Sequence, residues 1–150
     1  MTDPTVIDLL LVEDNPQDLE LTLRALRKTC ISARVHVARD GVEAADFLFC
    51  EGDHATRPHG SPPTLVLLDL KLPKLDGLEL IRRVKSDPRT KMIPLVVLTS
   101  SKEQRDLAES YELGVNSYIV KPVNSDRFTE AVRDLGMYWL LLNQPPKMKA

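Results

Sequence analysis

Two spacings of apolar residues alternate along the chain. Short, nearly continuous apolar runs are typical of strands buried on both faces of a parallel sheet. Between them, apolar residues recur every three or four positions, which predicts amphipathic helices. The run at 33–38 alternates apolar with polar residues, which predicts a strand nearer the sheet edge. The five predicted strands are 8–12, 33–38, 64–69, 94–100 and a segment within 116–122.

Helix boundaries carry their own signals. Asn15 followed by Pro16 is typical of an N-cap and a first helical residue. The pairs Asp40–Glu43 and Asp76–Glu79 match the capping box, in which each residue bonds the other's backbone amide. Gly114 is predicted to end the fourth helix, and Ser125 to start the last. The positions predicted to face inward in the first and third helices are Leu19, Leu23, Leu26, Leu78, Ile81 and Val84.

Strands that alternate with helices predict a doubly wound α/β sandwich of three layers, because right-handed crossovers place helices on both faces of a parallel sheet. A length of 150 residues suits one domain. We expect residues 1–150 to form that single domain, with a core at about 6–143 and a flexible tail at 144–150.

The composition of the chain limits the partners and the cellular location that we expect. A net charge of −2 gives no general electrostatic reason to expect binding to nucleic acid or to a membrane. The apolar run at 137–142 is far shorter than the roughly 20 residues that span a bilayer. The first residues lack the pattern of a signal peptide, and Cys30 and Cys50 are interpreted as packed free thiols. These features favour a cytoplasmic protein.

The segment at 50–63 is a polar loop that contains His54 and His59. Two histidines without further ligand spacing are weak grounds for a metal site. We interpret them as solvated loop residues, and the role of the loop stays open.

Polar residues stand at the predicted carboxyl ends of four strands. Glu13 and Asp14 follow the first strand, Asp69 ends the third, Thr99 lies at the end of the fourth, and Lys121 ends the fifth. Ligands bind at this edge of open parallel sheets. We therefore expect three carboxylates, a hydroxyl and an ammonium group to converge there.

Three carboxylates at close quarters repel one another, so some would take up protons unless a cation neutralised them. Magnesium, or manganese in its place, binds carboxylate and phosphate oxygens, and the backbone carbonyl of Lys71 is a further candidate ligand. Asp69 is the candidate nucleophile for a phosphoryl group, with Lys121 and Thr99 contacting the phosphoryl oxygens. The chain has neither GxxxxGK[ST] nor GxGxxG, so we expect no bound nucleotide as the phosphoryl donor.

Four motifs together resemble the receiver domain of two-component response regulators over about residues 6 to 140. They are EDN from Glu13, LLDLKLPKLDG around Asp69, TSS from Thr99 and KP from Lys121. The resemblance implies a flavodoxin-like (βα)5 fold with strand order 2-1-3-4-5. It also implies phosphorylation of Asp69 by the phosphohistidine of a sensor histidine kinase.

The same resemblance assigns further roles. Glu13 and Asp14 would hold the metal, Lys121–Pro122 would be a cis peptide, and Tyr118 would be the switch aromatic that turns inward as Thr99 moves. Two residues depart from the usual pattern. Glu13 stands where many receivers have Asp, and Lys71 places a basic side chain beside the site.

The last predicted helix is apolar on nearly all sides near its end. Its outward apolar positions are Met137, Tyr138, Leu140 and Leu141. Such patches usually mark association, which favours a homodimer through this helix and the neighbouring face; the alternative is extra core over the sheet edge. The helix and the loop at 50–63 resemble those of receivers that partner bacterial phytochrome histidine kinases.

Three alternatives remain. The chain could pass phosphate on to a histidine phosphotransfer protein, it could be an aspartyl-phosphate phosphatase, or it could be an adaptor that never takes phosphate. Phosphatases similar to haloacid dehalogenases carry DxDxT after their first strand, whereas here Asp69 follows the third strand and position 71 is Lys. The intact Asp69 and Lys121 argue against a pure adaptor.

Overall fold

The computed structural model describes residues 7–27, 33–52, 63–70, 72, 74–99, 104–120, 130 and 133–134. Strands alternate with helices through these residues. The strands are β1 (Ile7–Val12), β2 (Ala33–Ala38), β3 (Leu65–Leu68), β4 (Leu95–Thr99) and β5 (Ser117–Val120). The helices are α1 (Pro16–Arg27), α2 (Gly41–Phe49), α3 (Gly77–Ser86) and α4 (Gln104–Leu113).

The strands form one five-stranded sheet in the order β2-β1-β3-β4-β5. Every neighbouring pair is parallel. This confirms the predicted α/β sandwich and its strand order, and β2 lies at an edge as its alternating pattern predicted. Val12 at the end of β1 pairs with Ala38 of β2 on one side and with Leu68 of β3 on the other. Three strands therefore end at the same level.

The two faces of the sheet support separate hydrophobic clusters. Alternate strand residues, such as Val12 and Leu68, pack with α2 and α3, and Leu113 of α4 packs against the same cluster. The intervening residues, such as Leu11 and Leu67, pack with α1 on the opposite face. This division follows from the two-residue period of a strand, and it explains why the central strands carry the continuous apolar segments Leu9–Val12, Leu65–Leu68 and Leu95–Leu98.

Two of the predicted helix starts are confirmed. The Asn15 side chain accepts hydrogen bonds of 3.0 Å from the amides of Gln17 and Asp18, and Pro16 is the first residue of α1. At α2, the Asp40 carboxylate accepts a 2.7 Å bond from the Glu43 amide. The Glu43 carboxylate in turn accepts a bond from the amide of Arg39 rather than from that of Asp40.

The third predicted cap is wrong in part. Asp76 is the N-cap residue of α3, but its side chain makes no cap hydrogen bond. Glu79 pairs with Arg82 one turn further along, so its carboxylate is engaged away from the helix start. The start of α3 is held by backbone instead, since the Gly77 amide donates a 3.1 Å bond to the carbonyl of Leu70.

Outside the sheet, Cys50 is a buried free thiol that ends α2 in a left-handed conformation with φ of 55°. Cys30, His54 and His59 lie outside the described residues. Within the described ranges, no helix is long and apolar enough to cross a membrane.

The core of α3 gives a direct stability test. Ile81 is fully buried with 0% exposure, so Ile81→Ala should lower the free energy of unfolding by about 2–5 kcal/mol through lost burial and a cavity. Met92 is 48% exposed, and Met92→Ala should change it by less than about 0.5 kcal/mol. Urea unfolding of both variants measures the difference. Equal stability of the two variants would contradict the placement of α3 on the sheet.

Candidate functional site

The candidate site lies where β1 and β3 end side by side. Hydrogen bonding of the sheet continues one residue beyond each strand. The Glu13 amide donates to the Ala38 carbonyl at 3.0 Å, and the Asp69 amide donates to the Val12 carbonyl at 3.1 Å. Both acidic residues are thus held by the sheet backbone rather than by a loop, which limits how far their side chains can separate.

Three carboxylates meet at this point. Glu13, Asp14 and Asp69 each offer an oxygen atom, and these three atoms all lie within 4.8 Å of one another. Glu13 is 3% exposed and Asp69 is 7% exposed, whereas Asp14 is exposed to solvent. The amide of Asn15 donates to the Glu13 carboxylate at 3.5 Å. The site is therefore a partly buried acidic cluster that is open on the side of Asp14.

The donor set fits a hard divalent cation. Carboxylate oxygens are the ligands that Mg²⁺ and Mn²⁺ prefer, and such ions usually retain several waters. Mutual repulsion of the carboxylates favours a bound cation. The exposed Asp14 leaves room on the solvent side for those waters or for an anionic group.

The chain beyond Asp69 is packed tightly against α3. A Cβ atom built on Gly77 would lie 2.5 Å from the Cα of Leu70 and 2.8 Å from the carbonyl oxygen of Asp69. No side chain fits at such distances, so glycine allows the start of α3 to lie directly on the backbone of Asp69 and Leu70.

A second contact in this loop was not predicted. Lys74 has a left-handed backbone with φ of 69°, and its ammonium group lies 3.3 Å from the Asp40 carboxylate. The amide of Glu43 is the main cause that lowers the pKa of Asp40, burial opposes it, and Lys74 lowers it further. From the sequence, Asp40 was predicted only as a helix cap, because no local pattern links Asp40 to Lys74, which lies far along the chain.

The remaining predicted residues fall into two groups. Thr99 ends β4 and pairs with Val120 of β5, and Tyr118 of β5 is half-buried against the cluster that also contains α2 and α3. The others lie outside the described residues, so their predicted roles stay predictions. They are Lys71, Lys121, Pro122, Met137, Tyr138, Leu140 and Leu141.

Binding of a cation to the cluster should stabilise the fold. Mg²⁺ at about 100 times its dissociation constant should add about 2.7 kcal/mol to the free energy of unfolding. In Asp14→Asn this increment should shrink, because one carboxylate of the cluster is lost. Asp76→Asn removes an exposed carboxylate outside the cluster and should keep the full increment. Thermal unfolding with and without Mg²⁺ measures each value, and an Asp14→Asn increment equal to that of the unsubstituted chain would contradict the assignment.

Comparison with known proteins adds an independent observation. The family model described as the response regulator receiver domain matches residues 9–133. The chain is 39% identical over 132 residues to response regulator Rcp1 of Synechocystis sp. (strain ATCC 27184 / PCC 6803 / Kazusa), covering 88% of each chain. The crystal structure of the Mn²⁺-bound form of Rcp1 superposes with a TM-score of 0.85 and 38% identity, over 93% of this chain and 99% of that one.

Two further solved structures are similar. The phosphorylated cyanobacterial phytochrome response regulator RcpA is 41% identical, with a TM-score of 0.85 over 93% of this chain and 98% of that one. The bacteriophytochrome response regulator AtBRR is 55% identical, with a TM-score of 0.75 over 94% of this chain and 100% of that one. Fold, strand order and family match therefore agree, and the chain belongs to the response regulator receiver domain family.

Proposed function

We propose that this chain is a stand-alone response regulator that accepts a phosphoryl group on Asp69 from a sensor histidine kinase and signals through altered protein–protein contacts. The observation that carries the proposal is the acidic cluster, in which the buried Asp69 lies with Glu13 and Asp14 within 4.8 Å. A nucleophilic carboxylate beside a cation site is what phosphoryl transfer to aspartate requires.

In the proposed step, a carboxylate oxygen of Asp69 attacks phosphorus in line with the leaving group. The bond between phosphorus and the imidazole nitrogen of the donor histidine breaks, and the freed imidazole takes up a proton. Glu13, Asp14 and Asp69 would hold Mg²⁺ or Mn²⁺, which would neutralise the charge of the carboxylates and of the phosphoryl oxygens. The sheet contributes positioning, since hydrogen bonding from the Asp69 amide to Val12 limits movement of the nucleophile.

Three further groups complete the proposed site. Lys121 neutralises a phosphoryl oxygen, the Thr99 hydroxyl donates a hydrogen bond to another, and the carbonyl of Lys71 adds a metal ligand. The parallel topology supports the roles of Thr99 and Lys121 at one site, because Thr99 pairs with Val120 and Lys121 is the next residue in the chain. The phosphoryl group would be lost when water attacks the same phosphorus atom. The proposed reactions are therefore the phosphorylation and dephosphorylation of the chain itself, with no other substrate.

Tyr118 is the proposed switch residue. It lies half-buried on the edge strand β5, packed against the cluster beneath α2, α3 and α4. Movement of Thr99 toward a phosphoryl group would bias the position of Tyr118, with a coupling free energy of about 1–3 kcal/mol. A Pro122 that follows a cis peptide would fix the direction of Lys121.

For the kinase, we propose a bacterial phytochrome histidine kinase. Support comes from AtBRR and RcpA, which are described as bacteriophytochrome and phytochrome response regulators. Similarity over nearly the full length of those receivers supports the proposal that residues 1–150 act as one receiver domain. Relay of the phosphoryl group to a histidine phosphotransfer protein is the second candidate, and the same Asp69 would serve it.

Phosphate incorporation tests the role of Asp69. With acetyl phosphate and Mg²⁺, the unsubstituted chain should gain acid-stable, base-labile phosphate, and Asp69→Asn should gain less than about 1% of that amount because its nucleophile is lost. Asp76→Asn, with an exposed carboxylate removed at the start of α3, should incorporate phosphate normally.

Incorporation in Asp69→Asn at the level of the unsubstituted chain would rule out Asp69 as the acceptor. Turnover of an added phosphomonoester by the unsubstituted chain would instead favour the phosphatase alternative.

The predicted homodimer has a separate test. Paired substitution of Leu140→Glu and Leu141→Glu places charges in the proposed interface and should convert a dimer to a monomer in sedimentation velocity runs, with the circular dichroism spectrum unchanged. Lys147→Glu, in the predicted tail, is the matched charge control and should leave the dimer intact. A monomer before substitution, or unfolding of the double variant, would favour packing of these leucines as extra core.

A further inference from the structure

The loop from Asp69 to Gly77 carries the proposed phosphoacceptor at one end and begins α3 at the other. Its described residues are held at three places. The Asp69 amide is hydrogen-bonded to the Val12 carbonyl of β1, and the Gly77 amide is hydrogen-bonded to the Leu70 carbonyl. The third place is at Lys74 and Leu75, where the loop meets the start of α2.

Gly41, the first residue of α2, lies against the backbone of this loop. A Cβ atom built on Gly41 would lie 2.0 Å from the carbonyl oxygen of Leu75 and 2.6 Å from its Cβ. Carbon and oxygen atoms do not approach so closely without displacement of one backbone. Glycine lowers helix stability relative to alanine, so its presence at the start of α2 reflects this close packing rather than helix formation.

Beside that contact, Asp40 joins the same two elements electrostatically. One carboxylate oxygen accepts the 2.7 Å bond from the Glu43 amide, and the other lies 3.3 Å from the Lys74 ammonium. Because the helix cap fixes Asp40, the ion pair draws Lys74 toward α2. Lys74 has the left-handed φ of 69°, a conformation that a residue with a side chain adopts only when its surroundings impose it.

We propose that Asp40 and Gly41 are positioning residues for the carboxylate site: they hold the loop at Lys74 and Leu75, and thereby set the affinity of Asp69 and its neighbours for the divalent cation. The inference rests on the proposed function of that site. It gives α2 a role at the site although none of its residues lies in the acidic cluster.

The route from the contact to the cluster is short and mostly backbone. Leu75 is followed by Asp76 and then by Gly77, whose amide donates to Leu70, the residue next to Asp69. Only Asp76 separates Leu75 from Gly77, so a displacement at Leu75 reaches the hydrogen bond between Gly77 and Leu70 directly. Residues hydrogen-bonded directly to metal ligands typically contribute 10–100-fold to metal affinity. Asp40 and Gly41 act through the intervening backbone, so we expect the lower end of that range.

Gly41→Ala is the main test. Its added methyl group must displace Leu75. The dissociation constant for Mn²⁺, measured by titration calorimetry, should therefore be about 10-fold higher than that of the unsubstituted chain. The Mg²⁺ concentration for half-maximal phosphorylation by acetyl phosphate should rise by a similar factor, while the rate at saturating Mg²⁺ falls much less. In metal-free protein the Gly77 amide should exchange its hydrogen faster, because its bond to Leu70 is weakened.

The matched control is Val42→Ala, which introduces alanine at the next position of the same helix. Val42 is exposed, so this variant should bind Mn²⁺ as the unsubstituted chain does. Alanine is the better helix former at position 41, so a role confined to α2 would leave Mn²⁺ affinity unchanged in Gly41→Ala and raise its thermal stability.

Asp40→Asn and Lys74→Gln test the ion pair with less disturbance. Asparagine caps helices as well as aspartate, so Asp40→Asn keeps the bond to Glu43 and removes only the charge. For this pair, in which Lys74 is exposed and Asp40 is half-buried, each single variant should weaken Mn²⁺ binding about 2-fold, and the double variant should be no weaker than either. If Gly41→Ala does not fold, this pair of variants decides the question.

Wild-type Mn²⁺ affinity in folded Gly41→Ala overturns the inference, as does wild-type affinity in the two ion-pair variants if Gly41→Ala is unfolded. Failure of the proposed function is a different result: the unsubstituted chain then binds Mn²⁺ but takes no phosphate on Asp69. The calorimetric comparison still judges the positioning role in that case.

Discussion

Electrostatic repulsion among three carboxylates is the constraint on which the rest of this structure depends. Glu13, Asp14 and Asp69 hold oxygens within 4.8 Å of one another, and two of these side chains are buried. Such an arrangement opposes folding unless the backbone is fixed by something stronger. The central strands supply that support, because their continuous apolar segments pack on both faces of the sheet.

The same constraint explains how the loops around the cluster are built. Glycine stands at the two positions where helices approach the loop after Asp69, and in both cases a methyl group would collide with backbone. Close backbone contacts of this kind resist movement more than side-chain contacts do. The contacts of Gly41 and Gly77 therefore limit how far the backbone after Asp69 can move.

Sequence reasoning succeeded where the signal was periodic or topological. The bounds of β2 and the cap at Asn15 agree with the structure, and so does the strand order that the resemblance to receivers implied. The meeting of Glu13, Asp14 and Asp69 was predictable because parallel strands end at a common edge. The side-chain cap expected at Asp76 was wrong, since Glu79 pairs with Arg82 and tight packing at Gly77 sets the helix start instead. The Lys74–Asp40 contact was missed because it depends on tertiary packing and a left-handed backbone, for which a lysine gives no local signal.

Membership of the receiver family and the acidic cluster support one central claim: the edge of this sheet is a cation-dependent acceptor for a phosphoryl group at Asp69. A crystal structure of the chain with Mn²⁺ and beryllium fluoride, which mimics a phosphoryl group, tests it most directly. The predicted result is density for a beryllium trifluoride group whose beryllium is bonded to an Asp69 oxygen, with Mn²⁺ coordinated by Glu13, Asp14 and Asp69. Mn²⁺ bound elsewhere, or an Asp69 that carries no fluoride group while the cation is present, would contradict the claim.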